Sequence, residues 1–484
     1  MLRVLFFHLH SVALASLPWL ALLSVGFMIV SQSGYSDLHA YIAAGIITVL
    51  LFSLLRLSGI KNTPPRFLAP LVVRVLSVRL SVWPLVIAGV CLRLIWFVVF
   101  DVQQVSDYST YTLLANKLIA GAPYEIAGTK AYWPVGYPAF LAGAHLGHFP
   151  VTAFSIFLLN VLLYLLSSYF IYHIAKRLFN TETAVLALVI VTFWPSNFAM
   201  VGMAFKEYLV YTLLAASIYL YLTKTHYLYF VISGVLLGCS ALVQPGTLLF
   251  ASVFIVAAWV AAKPVKRQLL QILTIVIGMV IAIAPWTYRN YHTFDQVVLI
   301  SSNGGSNFFR ANNDLAHGGY LEYFLDDVEA LSEVEKDQAY KALAIDWIKQ
   351  NPDKFLSLSL RKAMLFLGDD STGFYLSLKQ AAVQPVSNTA YLLAKLSANM
   401  FWLLLWLLLL LRVKHFNALV KQQPELLTLT LGFMYFLTIH AVFESNAKYH
   451  FPASWMLAIM AAAALSMLGK SARDAQLSSV KDDE

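Results

Sequence analysis

Apolar runs of about the length needed to cross a bilayer recur along nearly the whole chain, and this repetition limits the possible folds more than any other feature. A transmembrane helix needs roughly 20 predominantly apolar residues. Runs near that length lie at 12–30, 41–58, 83–100, 153–174, 184–200, 207–223, 227–242, 246–262, 268–285, 391–412, 425–443 and 452–469. Because 60% of the residues are hydrophobic and only 12% are charged, a water-soluble globule is excluded. The sequence predicts an all-α polytopic membrane protein with about 12 transmembrane helices.

The distribution of Lys and Arg among the links predicts the orientation of these helices. The link 56–82 contains Arg56, Lys61, Arg66, Arg74 and Arg79, whereas the link 31–40 contains no Lys or Arg. By the positive-inside rule, both termini are expected to be cytoplasmic. The regions expected to face outward are 101–152, 201–206, 286–390 and 444–451. The same rule accounts for the net charge of +8, which therefore does not indicate a nucleic-acid partner.

The long polar segment 286–390 predicts a small external domain of mixed α/β structure. It begins with turn-forming residues at 301–307. Apolar residues between Ala342 and Leu365 then recur at helical intervals, interrupted by Asn351-Pro352, which predicts two amphipathic helices. The segment 391–469 is expected to form the C-terminal transmembrane helices, and 470–484 a cytoplasmic tail.

A second polar stretch, 101–140, directly follows an apolar run. Asp107, Tyr111 and Ala115 are spaced four residues apart, which predicts a short surface helix with Asp107 at its N-terminal end. The helix dipole favours an ionised carboxylate at that end, so Asp107 could accept a proton or hold a cation. The alternative is an N-terminal helix acid with a purely structural role. Asp101 ends the preceding helix and is interpreted as a boundary residue.

Further motifs follow in order along 83–469. They are Gly121-Ala122-Pro123-Tyr124, Trp133-Pro134-Val135-Gly136-Tyr137-Pro138, Lys206-Glu207, Pro285-Trp286-Thr287-Tyr288-Arg289-Asn290, Ser301-Ser302-Asn303-Gly304-Gly305 and Lys448-Tyr449-His450-Phe451-Pro452. Together with Asp107 and Tyr111 they resemble the GT-C superfamily, the integral-membrane glycosyltransferases that use polyprenyl-phosphate-linked sugars. Protein O-mannosyltransferases and the aminoarabinose transferase of lipid A are examples.

The resemblance also implies a domain plan and a location. It implies a GT-C-like transmembrane core over 83–285 whose catalytic external loop is 101–152, so the two helices predicted within 1–60 are an addition to that core. It further implies a protein of the bacterial inner membrane with a periplasmic active site.

Roles for particular residues follow from the resemblance. Asp107 would be the general base that takes a proton from an acceptor hydroxyl, with inversion at the sugar. Glu207 would be a second acid that orients the acceptor or shares a divalent cation with Asp107; its structural alternative is an ion pair with Lys206. No other cofactor is implied. The two cysteines, Cys91 and Cys239, lie within apolar runs, and no Cys/His spacing indicates a metal site.

Cations are expected beside the donor phosphate, because the leaving group gains negative charge in the transition state. The candidates are Arg289, Lys206, Lys448 and His450. Arg289 is alternatively an interfacial arginine and His450 a helix-capping residue. Weaker candidates for substrate binding are Tyr111, Tyr132, Tyr137, Arg93, Glu444 and Asn303. The structural alternatives are a place in the interfacial aromatic belt for Tyr132 and Tyr137, a buried partner for Arg93 and a turn for Asn303.

The sequence thus predicts a glycosyltransferase that moves one sugar from a polyprenyl-phosphate donor to an acceptor hydroxyl on the external, periplasmic face of the membrane. The acceptor is a glycan, a lipid or a protein. One alternative is a polytopic transporter or lipid flippase, which would need essential charges near the middle of the bilayer. Another is a non-catalytic scaffold whose external domain binds a partner.

Overall fold

The computed structural model describes residues 2–31, 81–145, 150–261 and 264–482. The span predicted at 41–58 lies outside these residues. The helices of eight or more residues are α1 (Leu2–Ser31), α2 (Val82–Val99), α3 (Asp107–Ile119), α4 (Gly136–Ala144), α5 (Ala153–Leu178), α6 (Thr181–Phe193), α7 (Lys206–Thr223), α8 (Tyr227–Val243), α9 (Ala251–Val260), α10 (Val265–Phe294), α11 (Gly304–Ala311), α12 (Glu333–Gln350), α13 (Pro352–Leu367), α14 (Asn388–Gln422), α15 (Leu427–Val442) and α16 (Ser454–Asp482).

Seven segments of the described chain are long and apolar enough to cross a membrane. They are Leu2–Met28, Val82–Val99, Ala153–Leu178, Val265–Phe294, Asn388–Gln422, Pro424–Val442 and Ala447–Ser471. The other apolar runs of the prediction that lie within the described residues also fall on helices. However, α6, α8 and α9 are shorter than a span requires, and α7 begins with the charged pair Lys206-Glu207. The integral-membrane character is therefore supported, whereas the number of about twelve transmembrane helices is not confirmed.

The apolar helices differ in how much protein surrounds them. The most apolar window of the Ala447–Ser471 segment is 89% buried, whereas that of α2 is 17% buried. The first part of α16 therefore occupies the middle of the bundle, packed against α6, α14 and α15. On α2, residues such as Trp83, Ile95 and Val98 are left exposed, as expected of a helix that faces lipid.

Glycines allow two apolar helices to approach closely. A Cβ atom added to Gly234 of α8 would lie 2.0 Å from the carbonyl oxygen of Ile275 on α10. A Cβ atom added to Gly278 of α10 would lie 2.1 Å from the carbonyl oxygen of Val231 on α8. Small residues at such crossings let the helix backbones touch in a membrane, where little hydrophobic force drives helices together. The α8–α10 contact fixes the position of the far end of α10, which bears Arg289.

The N-terminal helix is packed into the bundle. α1 lies against α13 and α14. His10 of α1 is hydrogen-bonded through Nε2 to the Thr430 hydroxyl of α15, 2.8 Å away. At the other end of α1, Ser24 and Met28 contact Gly368, where an added Cβ atom would lie within 3 Å of both residues. The segment predicted as an addition thus makes contacts with the C-terminal half of the chain.

The polar segment 286–390 is helical where a mixed α/β domain was predicted, so that part of the predicted fold class is not confirmed. The described residues contain no sheet, only isolated bridges between Val102 and Ala382 and between Ile126 and Thr129. The cause is local: a capping box of Ser332 and Glu335 begins α12, and Pro352 begins α13. The two amphipathic helices predicted on either side of Asn351-Pro352 are confirmed as α12 and α13. The stretch interpreted as turns becomes α11 from Gly304 onwards.

Candidate active site

Two cavities meet beside the N-terminus of α3. The larger has a volume of about 530 Å³ and the smaller about 420 Å³. Both are lined by Ser106, Asp107, Tyr320, Asn446 and Lys448. The larger cavity is also lined by Tyr111, Tyr132, Trp133, Pro134, Lys206, Asn303, Asn307, Arg310, Glu322, Phe324, Glu444 and Tyr449. The smaller is also lined by Met28, Tyr108, Leu365, Asp369, Thr372, Tyr375, Leu376, Gln380 and Ala447.

Asp107 and Lys448 form an ion pair where the two cavities join. The distance between Asp107 Oδ2 and Lys448 Nζ is 3.9 Å, which is an electrostatic contact longer than a hydrogen bond. The Asp107 side chain is 38% exposed and that of Lys448 is 20% exposed. The carboxylate therefore keeps room to accept a proton from a bound molecule while it faces a positive charge.

The backbone around this pair fixes both side chains. Asp107 is the first residue of α3, as predicted, so its carboxylate lies at the positive end of the helix dipole. Ser106 before it has φ 51°, a value that residues other than glycine rarely adopt. Such conformations persist only where the surrounding structure holds them, and they occur often at functional sites. Lys448 lies on a short 3₁₀ helix, Ala447–Ala453, whose first turn is capped by the Asn446 side chain.

Three cations line the larger cavity: Lys206, Lys448 and Arg310. Arg310, on α11, was not predicted. Its guanidinium lies 5.1 Å from the Tyr320 ring centre and 5.7 Å from that of Phe324, and it donates a hydrogen bond to Asn307. Burial acts to lower the pKa of Arg310, but the neighbouring Tyr132 and Glu444 outweigh it, so the pKa lies above its ordinary value. Arg310 is only 6% exposed, and its Nε atom has no hydrogen-bond partner among the described residues.

Glu207 lies behind the cavity wall. It is the second residue of α7 and is 2% exposed. Its Oε2 atom has no hydrogen-bond partner in the described part of the chain. Burial raises the pKa of Tyr137, and the nearby Glu207 carboxylate raises it further. Lys206 does not form an ion pair with Glu207 in the described structure; its Nζ atom lies 5.5 Å from the ring centre of Tyr111 instead.

The weaker predicted residues divide into two groups. Tyr111, Tyr132, Asn303 and Glu444 line the larger cavity. Glu444 accepts a hydrogen bond of 2.6 Å from the Tyr449 hydroxyl through Oε1, while its Oε2 has no partner among the described residues. Tyr137 is buried behind Tyr111, with the two rings 5.5 Å apart, and does not line either cavity.

Arg289 lines neither of the two cavities. It donates hydrogen bonds to the carbonyl oxygens of Lys130, at 2.8 Å, and Tyr124, at 3.4 Å, and its guanidinium lies 4.6 Å from the Trp286 ring centre. Glu333, the first residue of α12, accepts hydrogen bonds from the backbone nitrogens of Lys130 (2.6 Å) and Ala131 (2.8 Å). Arg289 and Glu333 together hold the loop that leads from α3 to α4.

His450 is also separated from the cavities. Its ring nitrogens contact the Phe366 carbonyl oxygen (2.7 Å) and Asp370 Oδ1 (2.9 Å), and the ring stacks on Trp402 at 4.3 Å. Since a carbonyl oxygen only accepts, Nδ1 donates to Phe366 and one further proton lies between Nε2 and Asp370. Trp194 donates to the other oxygen of Asp370 at 2.6 Å. The phosphate-binding role predicted for His450 has no support in this arrangement, because both nitrogens are occupied.

Arg93, the charged residue deep within a predicted span, has partners inside the protein. It donates hydrogen bonds to Asn197 Oδ1 (2.7 Å) and to the Gly89 carbonyl oxygen (3.1 Å), and its guanidinium lies 3.6 Å from the Tyr164 ring centre. These contacts satisfy a charge that would otherwise be costly in the bilayer. Arg93 lines neither of the two cavities.

The divalent cation suggested for Asp107 and Glu207 has no ready-made set of protein ligands among the described residues. Among the described residues, no three His, Cys, Asp or Glu side chains lie together as metal ligands. The charge that faces Asp107 is the ammonium group of Lys448.

The fold and the site define a helical integral-membrane protein with two adjoining cavities, both lined by charged residues, at one end of its apolar helices. Residues 134–288 match the family model described as dolichyl-phosphate-mannose-protein mannosyltransferase. This match confirms the resemblance to GT-C glycosyltransferases that the motifs predicted. No curated protein matches the chain.

Solved structures of two transferases resemble the chain at low identity. The apo oligosaccharyltransferase from Archaeoglobus fulgidus is 13% identical with a TM-score of 0.48, and the match covers 79% of this chain and 49% of that one. ArnT from Cupriavidus metallidurans, solved with undecaprenyl phosphate, is 11% identical with a TM-score of 0.41, covering 79% of this chain and 77% of that one. The chain spans about half the length of the archaeal oligosaccharyltransferase.

Proposed function

We propose that the protein is a glycosyltransferase that moves a single sugar from a polyprenyl-phosphate donor to an acceptor hydroxyl, with inversion at the anomeric carbon. The observation that supports this proposal most directly is the Asp107–Lys448 pair at the junction of two cavities. A base and a cation at one point, both reachable from each of the two cavities, suit a reaction between two bound substrates. The family match over 134–288 supports the same reaction class.

The larger cavity is proposed to hold the donor phosphate. Lys206, Arg310 and Lys448 line it, so a phosphate there would meet three positive charges. When the bond between the anomeric carbon and the phosphate oxygen breaks, that oxygen gains negative charge. Fixed cations in a partly enclosed cavity stabilise this charge more strongly than they would in water. In this proposal Arg310 takes the role that the sequence assigned to Arg289, because Arg289 is bound to loop carbonyl oxygens.

Asp107 is proposed as the general base, with the acceptor entering through the smaller cavity. The acceptor hydroxyl gives its proton to the Asp107 carboxylate as its oxygen attacks the anomeric carbon, and the polyprenyl phosphate leaves with the electron pair of the broken bond. Glu207 is proposed to act from behind the wall by orienting the residues around Tyr108 and Tyr137. We further propose that the site faces the periplasm of a bacterial inner membrane: the positive-inside rule supports an outward-facing site, and the bacterial inner membrane is what the resemblance implies.

The test is Asp107→Asn, which keeps the size of the side chain and removes the base. We expect transfer from a radiolabelled polyprenyl-phosphate sugar to fall by about 10²- to 10⁴-fold in the purified protein, as is usual when a positioned base is lost. Asp101→Asn is the matched control, since Asp101 lies six residues earlier in the chain, lines neither cavity of the pair, and should leave the rate unchanged.

Full activity of Asp107→Asn would remove Asp107 as the base. The same assay separates the enzyme from a transporter or flippase, because transport releases neither free lipid phosphate nor a glycosylated product. No contact among the described residues favours the transporter: Arg93, the charge deepest in a span, is occupied by Asn197 and Gly89.

A further inference from the structure

A third polar cavity lies at the opposite ends of the helices. It has a volume of about 140 Å³ and is lined by Arg177 of α5, Lys224 after α7, Arg267 and Gln271 of α10, and Glu425 before α15, among others. Arg267 and Arg289 lie near the two ends of α10, about 33 Å apart at 1.5 Å per residue. That separation is close to the hydrocarbon thickness of roughly 30 Å. The cavity therefore sits at the level of the other membrane surface, away from Asp107.

The cavity has more positive charge than its own acid neutralises. Arg177 Nη2 pairs with Glu425 Oε2 at 3.1 Å. Lys224 and Arg267 form no ion pair among the residues that the structure describes. Lys224 instead lies 5.4 Å from the ring centre of Tyr229 and 5.8 Å from that of Tyr219. Two cations thus face one small polar space without a partner of opposite charge.

Apolar side chains are exposed on the elements beside this cavity. Leu228 is 57% exposed, Trp259 38% and Leu269 62%. Three candidate spans begin or end at this level: Ala153–Leu178, Val265–Phe294 and Pro424–Val442. A ligand that combines an anionic group with hydrocarbon chains meets both features at once, the cations inside the cavity and the apolar surface around it. A free anion meets only the first.

We propose that this cavity binds the phosphate of an anionic phospholipid from the adjacent leaflet, which the positive-inside rule makes the cytoplasmic one. Arg177 and Arg267 offer planar groups that donate two hydrogen bonds to phosphate oxygens, and Lys224 adds a point charge. The acyl chains lie along the exposed apolar residues of α8, α9 and α10. Basic pockets between transmembrane helices on the cytoplasmic side are suited to anionic headgroups. This site is separate from the proposed transferase site and does not depend on it.

The experiment measures lipid binding to the purified full chain by native mass spectrometry. Phosphatidylglycerol is titrated against the unchanged protein, Lys224→Gln/Arg267→Gln, and the matched control Lys266→Gln, whose side chain does not line the cavity. Each cation near a membrane surface contributes about 1 kcal/mol to binding of anionic lipid. We therefore expect the double variant to bind phosphatidylglycerol about 30-fold more weakly, with the control unchanged. Phosphatidylcholine with the same acyl chains should show no such difference.

Equal binding of phosphatidylglycerol to the unchanged protein and the double variant would overturn the proposal. Complete displacement of the lipid by millimolar inorganic phosphate would also overturn it, by indicating a site for a free anion. If the double variant does not fold, Arg267→Gln alone serves, because Arg267 is an exposed helix residue; about a fivefold weakening is then expected. Since no sugar transfer is measured, the result is independent of the activity assay.

Discussion

Arg310 and Arg289 show that two arginines of similar chemistry can have different roles. Arg310 is enclosed by aromatic rings in the larger cavity, and its Nε atom has no partner among the described residues. Arg289 is bound to the carbonyl oxygens of Lys130 and Tyr124. A guanidinium already bound to the backbone has less capacity for a phosphate than one that faces a cavity. In the proposed mechanism, Arg310 therefore binds the donor phosphate, whereas Arg289 supports the loop between α3 and α4.

Replacing each arginine by glutamine should therefore change different measured quantities. We expect Arg310→Gln to raise the KM for the donor about 10- to 100-fold, because a hydrogen bond to a charged group contributes about 1.5–3 kcal/mol. Arg289→Gln should lower the thermal unfolding midpoint while leaving the KM nearly unchanged. Initial rates at varied donor concentration, with melting curves for both variants, provide the comparison. A larger rise in KM for Arg289→Gln would reverse the two assignments.

The position of Asp107 at the start of α3 could be predicted because it depends on residues close to it in the sequence. The spacing of Tyr111 and Ala115 predicts the helix, and the end of an apolar run predicts the membrane surface, so Asp107 lies at α3's first residue as expected. His450 depends on Asp370, a distant residue in a segment with no recognisable motif, so its burial could not be predicted. Arg310 was missed because 301–307 was interpreted as turns. An available signal was the pair Phe308-Phe309 before it, which suggests an amphipathic element.

Two elements of the polar segment and the end of α15 meet at one buried lysine. Lys362 of α13 donates hydrogen bonds to Asn312 Oδ1, after α11, at 2.9 Å and to the carbonyl oxygen of Val442, the last residue of α15, at 3.0 Å. α11 bears Arg310, and the chain after Val442 leads to Glu444 and Lys448. Lys362 is therefore a positioning residue that holds together two of the elements that line the larger cavity.

The stability of this junction should depend on pH. Burial lowers the pKa of Lys362 from its ordinary 10.5 to about 7, and Glu444 acts in the opposite direction. Between these pH values the unfolded chain binds more protons than the folded one, so stability rises with pH across the window. We expect the thermal unfolding midpoint to rise from pH 7 to pH 9.

Lys362→Met should reduce that rise, because it removes the group that titrates in the window. Lys354→Met is the control on the same helix: Lys354 is exposed and pairs with Asp314 at 3.1 Å. This control should retain the dependence of the unchanged protein. The same slope in Lys362→Met as in the unchanged protein would show that another group causes the effect.

The sequence predicted where helices form better than it predicted which of them cross the membrane. The long apolar runs correctly predicted α5, α10 and α14. Within a bilayer, a single apolar segment can satisfy its own backbone hydrogen bonds only as a helix. The same signal could not distinguish a spanning helix from a buried one such as α6, since apolar residues suit both environments. The mixed α/β expectation for 286–390 was not met because caps at Ser332 and Asn351-Pro352 favour helices, a local effect that composition does not reveal.

At the scale of the whole molecule, two cavities meet at the Asp107–Lys448 pair, and the proposed reaction there has a kinetic consequence. If donor and acceptor occupy separate cavities, both bind before any bond changes. We expect initial-rate plots for the two substrates to intersect, as for a sequential mechanism, and no sugar to remain attached to the protein when acceptor is absent. Parallel lines, or a trapped glycosyl-protein, would indicate that one substrate leaves before the other binds.

The contact between Asp107 and Lys448 also bears on how the protein is made. Asp107 follows α2, near the start of the described chain, whereas Lys448 lies just before α16, the final helix. A chain that inserts during synthesis therefore holds Asp107, the proposed base, without its facing cation until residue 448 has left the ribosome. Donor lipid in the membrane meets no finished site during that time. Any chain terminated before residue 448 should be an inactive membrane protein even when all its earlier helices are inserted.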